Sequence, residues 1–151
     1  MKKLILIMTM ALFSSTAWGV DKGLAYSYGQ YFLPFDGKGT SKALQFIKVP
    51  DFVKAIKSGE KLFVLDIRTP AETRIVAMGV SEKLVVPMNQ VFRPDVLSRI
   101  PNDRKVVVVC KAGARAMAIA TALRHTGYKN IYVLKGGIAE LAKYVVPKTV
   151  Y

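Results

Sequence analysis

Val106-Val107-Val108-Val109-Cys110-Lys111-Ala112-Gly113-Ala114-Arg115 is the stretch from which the rest of the chain can be read. Four β-branched residues in succession leave no face for water, so they mark a strand buried on both sides, as in a parallel sheet covered by helices. Cys110 closes that run and is the only cysteine among 151 residues. A glycine-containing loop then opens onto an alanine-rich segment that ends at Gly127. Backbone N–H groups of the loop and of the first helical turn have no intrahelical partner, and they are expected to point at the sulfur. Lys111 and Arg115 add positive charge, and cations and helix N-termini both favour the thiolate, the nucleophilic form. Cys110 is therefore the candidate nucleophile. Lys111, Ala112, Gly113, Ala114 and Arg115 form the candidate cradle for an anionic substrate.

The same reasoning extends outward. Leu62 to Leu65 is a second buried strand, with Asp66 and Arg68 at its carboxyl end. Asp66 is expected in a structural ion pair. Arg68 is a further candidate for anion binding, because the carboxyl ends of parallel strands line the crevice where α/β sheets take their ligands. Thr69-Pro70-Ala71-Glu72 reads as a capping box with proline at the first helical position. Phe46 to Val49 reads as a short strand, followed by a helix with Asp51 as its N-cap, and Leu84 to Val86 as a third strand. Arg93 to Ile100 has a weak helical pattern. Ile131 to Leu134 is another strand, and Gly136-Gly137 turn the chain into a last helix around Ile138 to Tyr144. Strands and helices alternate, so the fold class is α/β, with a central, mostly parallel sheet and helices on both faces.

Cys-x-x-Gly-x-Arg after a hydrophobic strand, preceded by Leu65-Asp66-Ile67-Arg68-Thr69-Pro70-Ala71-Glu72 and followed by Leu134-Lys135-Gly136-Gly137, resembles the single-domain rhodanese family of sulfurtransferases. The resemblance covers Phe46 to Leu141. It implies a single α/β domain in which Cys110 carries sulfane sulfur as a persulfide. It also implies a small anionic donor such as thiosulfate, a thiol or protein acceptor, and no cofactor. The chain departs from the family at Met78-Gly79-Val80, where members carry Gly-His-Ile, and at Ala112 and Ala116, which lack the hydroxyls common in the family's loop. Those missing hydroxyls keep open a carrier or partner-binding module without turnover. Cysteine phosphatases and arsenate reductases share the Cys-to-Arg loop, but the related phosphatase loops are one residue longer than the four residues between Cys110 and Arg115.

Residues 1–19 begin Met-Lys-Lys, continue with an apolar run from Leu4 to Phe13, and end in small residues at Ala17 and Gly19, the pattern of a secretory signal peptide. Cleavage before Val20 would leave no membrane anchor and would place the protein in a bacterial periplasm. Residues 20–43 are then an N-terminal extension rich in glycine and tyrosine, with little periodicity, whose aromatics pack across the domain; residues 44–151 are the rhodanese-like domain. The formal charge is +13, two units of it from Lys2 and Lys3. The lysines are scattered rather than clustered, which with export argues against nucleic acid and for small anions or an acidic protein. One cysteine and one histidine supply no ligand set for a metal. His125 lies near the end of the helix after the loop, on the order of 15 Å from its start at 1.5 Å per residue, too far for a Cys–His pair.

Overall fold

The computed structural model describes residues 19–37, 39–146 and 148. The valine run becomes β4 (Lys105–Val109), in the middle of a five-stranded sheet. Its companions are β1 (Phe46–Ile47), β2 (Leu62–Asp66), β3 (Lys83–Val85) and β5 (Ile131–Leu134), in the order β1-β5-β4-β2-β3. Every pairing is parallel, so the sheet is wholly rather than mostly parallel.

Alternation along β4 divides the core. Val106 and Val108 join Leu65, Ile131 and Val133 on one face, under Ile119, Ala120 and Leu123 of α6 (Ala114–His125). Val107 and Val109 join Val64 and Leu134 on the other, under Phe52 and Ala55 of α3 (Val49–Lys57) and Ile138 of α7 (Gly137–Tyr144). Val106 to Val109 are all 0% exposed. A strand sealed on both faces is what an unbroken apolar run demands, and each fully buried valine contributes about 1.5 kcal/mol or more.

The remaining helices are α1 (Lys22–Phe32), α2 (Thr40–Ala43), α4 (Pro70–Ile75) and α5 (Pro94–Leu97). The capping box forms as read: Thr69 Oγ1 accepts the Glu72 N–H, and Glu72 Oε2 accepts the Thr69 N–H. Three expectations change. Asp51 is not the cap of α3: the helix starts at Val49, Lys48 takes the N-cap position without a side-chain cap bond, and Asp51 falls in the first turn. Pro50 permits this, since its fixed φ and missing N–H suit the start of a helix. The Arg93 to Ile100 pattern yields only the single turn of α5.

The extension is also more ordered than its composition suggests. Asp21 Oδ1 accepts the Leu24 N–H at 2.9 Å and starts the 11-residue α1. This helix buries none of its residues. Its aromatics do reach the domain, with the Tyr28 ring stacked on His125 at 4.1 Å and the Tyr31 ring edge-on to it at 5.3 Å. Residues 1–18 of the expected signal peptide lie outside the described residues. Among the described residues no helix is long and apolar enough to cross a membrane.

Candidate active site

Cys110 follows the last residue of β4, and its side chain is carried to the carboxyl edge of the sheet, 1% exposed. Its Sγ accepts the Gly113 N–H at 3.1 Å and the Ala116 N–H at 3.4 Å. Gly113 occupies the N-cap position of α6 with φ +101°, a conformation that side chains resist and glycine adopts freely. That turn brings the amides of the loop and of the first helical turn onto one sulfur. The grouping expected from the Cys-x-x-Gly-x-Arg spacing is present.

The loop's carbonyls face the other way. Cys110 O accepts the Ile138 N–H and Lys111 O accepts the Ala139 N–H, both at 2.9 Å, so the first turn of α7 braces the loop from behind. Gly137 makes this close approach possible. It has φ +61°, and a Cβ there would run into the Cys110 carbonyl oxygen. With carbonyls fastened to α7 and amides turned inward, the loop presents donors to an anion without paying to reorient them.

Arg115 lies in the first turn of α6, and its fork is taken up by a residue known so far only as a helix cap. Arg115 Nη2 donates to Glu72 Oε1 at 2.6 Å and Nη1 to Glu72 Oε2 at 3.0 Å, with both side chains about one-third exposed (34% and 28%). The Arg115 bond, followed by the Thr69 backbone N–H, lowers the Glu72 carboxyl from 4.5 to about 2. In return Glu72 raises the Arg115 guanidinium above its ordinary value, and the nearby Cys110 sulfur adds to the effect. Glu72 was not singled out for the site from sequence. No sequence signal links it to Arg115, because the two segments meet only once β2 and β4 are paired.

Lys111, Ala112 and Ala114 are exposed, and Gly113 and Arg115 are half-buried. The Lys111 ammonium makes no hydrogen bond or ion pair among the described residues. Arg68 does not join them. It is 2% exposed, with Nε and Nη2 both donating to the buried Asp66 carboxylate, the shortest contact at 2.6 Å. The Ile67 N–H bonds Val109 O at 2.9 Å and keeps the chain in the sheet beyond β2, so Arg68 turns back into the interior instead of out over the crevice. Its expected role in binding substrate gives way to a structural one. His125 stays at the far end of α6, where Nε2 meets Ser27 Oγ at 3.1 Å. No group of three or more His, Cys, Asp or Glu side chains that could hold a metal occurs among the described residues.

The family model for the rhodanese-like domain matches residues 49–144. The chain belongs to the rhodanese-like family. A sulfurtransferase of Allochromatium vinosum is 38% identical over 89 residues, which cover 58% of this chain and 78% of that protein. The probable adenylyltransferase/sulfurtransferase MoeZ of Mycobacterium tuberculosis is 32% identical over 95 residues, 63% of this chain but only 24% of that longer protein. Among solved structures, a rhodanese-related protein from Thermoplasma volcanium superposes with a TM-score of 0.57 at 26% identity, covering 68% of this chain and 95% of that one. The rhodanese-like domain of this chain thus has sulfurtransferase relatives. Its Cys110 loop falls inside the matched region.

Proposed function

We propose that the protein is an exported sulfurtransferase that moves sulfane sulfur from thiosulfate to a thiol acceptor through a Cys110 persulfide. The Cys110 thiolate attacks the outer sulfur of thiosulfate, the S–S bond of the donor breaks, and sulfite leaves with the bonding pair. An acceptor thiolate then attacks the outer sulfur of the persulfide and releases the Cys110 thiolate. The observation that carries this reading is the pair of amide bonds to Sγ from Gly113 and Ala116, which sets up a cradle for negative charge on sulfur. Lys111 and the N–H groups of Arg115 not spent on Glu72 attract the dianionic donor.

Export is supported by the basic start, apolar run and small-residue end of residues 1–19. The test is intact mass of the purified protein before and after thiosulfate. The expected result is a gain of one sulfur atom, removed by a reductant and absent in Cys110→Ser. No gain with any sulfane donor would overturn the reading, and a gain without turnover by added thiols would favour a carrier. A chain isolated from the periplasm that begins at Val20 would support export, and one retaining Met1 would count against it.

A further inference from the structure

Residues 76–80, which contain the departure from the family at Met78-Gly79-Val80, run beside α3 and α7 and leave a cavity of about 530 Å³ between the three. Its floor is Phe52 of α3, Met78, and Ile138 of α7, all buried. Its walls are Ile56, Val76 and Val145, all exposed, and their chain neighbours Ile75 and Val146 are exposed as well. Apolar side chains gathered around a cavity of that size mark a place where something binds. Gly79 keeps the cavity open. A Cβ there would meet nothing within 4 Å, and no positive φ requires glycine at this position. A larger side chain would fill the space without backbone strain, so the gap belongs to this sequence and is not a demand of the fold.

The lining also says what the occupant is. Lys57, in the last turn of α3, is the one charged residue among the described residues that line the cavity, and no carboxylate, hydroxyl or amide side chain joins it. Its ammonium makes no hydrogen bond or ion pair among the described residues. Lys54 stands three residues earlier on the same side of α3 and, with Val53 and Lys57, lines the neighbouring cavity, so a second cation is at hand. On the other flank the carboxylates of Glu60 and Glu82 are already held, by Lys105 at 2.6 Å and by Arg104 at 2.5 Å. A protein segment would bring backbone polar groups along its whole length and find no side chain in the slot to pair with them. A single-chain amphiphile carries all its polar atoms at one end, and the lining is built the same way.

We infer that this cavity binds the aliphatic chain of a long-chain carboxylate, with Lys57 at its mouth holding the head group. No bond is made or broken, and the assignment stands apart from whether Cys110 carries sulfur. It does place the ligand one residue from the sulfur loop. The Ile138 side chain lines the floor, while the Ile138 N–H donates to Cys110 O at 2.9 Å. The Ile138 amide is therefore a reporter of occupancy.

In the experiment, dodecanoate, octanoate and uncharged dodecanol, each below its micellar or solubility limit, are titrated into the full chain while the amide resonances of Gly79 and Ile138 are followed. Dodecanoate should shift both to saturation, and each methylene beyond octanoate should tighten binding about two- to fourfold. Gly79→Leu, which fills the cavity, should weaken dodecanoate at least about tenfold while the melting temperature and the loading of Cys110 by thiosulfate are kept. Lys57→Gln should weaken dodecanoate about threefold, the value of an exposed charge contact, and leave dodecanol as it is.

The absence of a saturable shift, or an affinity that ignores chain length, overturns the aliphatic occupant. Dodecanol bound as tightly as dodecanoate, with Lys57→Gln silent, overturns the carboxylate. Sedimentation of the ligand-free chain tests the rival occupant: a wild type that self-associates while Gly79→Leu stays monomeric would give the groove to a second copy and overturn the assignment. Should Gly79→Leu fail to fold, the chain-length series and Lys57→Gln still decide.

Discussion

The Glu72 carboxylate caps α4 through Thr69 and, 43 residues away in sequence, grips the fork of Arg115 at 2.6 and 3.0 Å. One side chain thus ties the end of β2 to the first turn of the helix that cradles the sulfur. Glu72→Gln keeps the size and one acceptor oxygen but loses the paired geometry. Persulfide formation from thiosulfate is expected to slow by on the order of tenfold in this variant, read by stopped mass analysis at early times, while the Cys110 alkylation end point stays complete.

The same pair gives the acid side of the stability profile. Glu72 has a folded-state value of about 2 against an ordinary 4.5. The unfolded chain therefore binds more protons between those values, and stability rises with pH across that window. The contribution of Glu72 is complete above pH 4.5 and is lost as pH falls toward 2. The stability difference between wild type and Glu72→Gln, followed by urea denaturation, should be flat above pH 4.5 and shrink below it. A difference that grows on acidification would contradict the pairing.

Arg68 and Asp66 are 3% and 2% exposed at their side chains, so their pairing happens away from water. Arg68→Met leaves a buried carboxylate without its partner and should cost about 3–5 kcal/mol, whereas Arg68→Met with Asp66→Leu should recover most of that loss. Thiosulfate should still load folded Arg68→Met to completion, because Arg68 does not reach the crevice. A selective loss of loading in well-folded variant would return Arg68 to the site.

Lys111 and Arg115 separate by their surroundings. Lys111 is exposed and unpaired among the described residues, so Lys111→Ala should raise the KM for thiosulfate several-fold with the melting temperature unchanged. Arg115→Ala leaves Glu72 without its partner and should lower both the loading rate and the melting temperature. Identical behaviour of the two variants would mean that the Glu72 contact is idle.

Gly137 offers a control that is built into the chain. Gly59 and Gly137 both have positive φ, at +73° and +61°, but a Cβ on Gly59 meets nothing within 4 Å while one on Gly137 meets the Cys110 carbonyl. Gly59→Ala should cost about 1–2 kcal/mol from backbone strain alone. Gly137→Ala should cost more and also abolish loading, since the loop must shift to admit the methyl group.

What the sequence disclosed follows from the range of each signal. Val106 to Val109 and the Cys110 loop are contiguous, and hydrophobic runs and turn glycines act locally, so the strand, the amide cradle and the Thr69 capping box were legible. The Glu72–Arg115 pair joins two elements that meet only after β2 and β4 are in register, and nothing in either segment announces the other. Arg68 shows the same limit, because a charged residue at a strand end looks the same in sequence whether it turns outward or folds back on Asp66. The period of α1 was masked by Gly23, Gly29 and interspersed tyrosines, and its visible cause is the Asp21 cap with a landing on His125.

The contact of α7 with the carbonyls of Cys110 and Lys111 gives the size of the anion cradle an unexpected owner. A helix that never meets the reacting sulfur fixes how far the loop can spread, as a mould fixes a casting from its outer side. At Gly137 not even a Cβ fits against the Cys110 carbonyl, so a loop one residue longer, of the width a tetrahedral oxyanion needs, finds no free space on that side. A descendant with that chemistry would have to reseat the last helix before it changed a single residue around the cysteine.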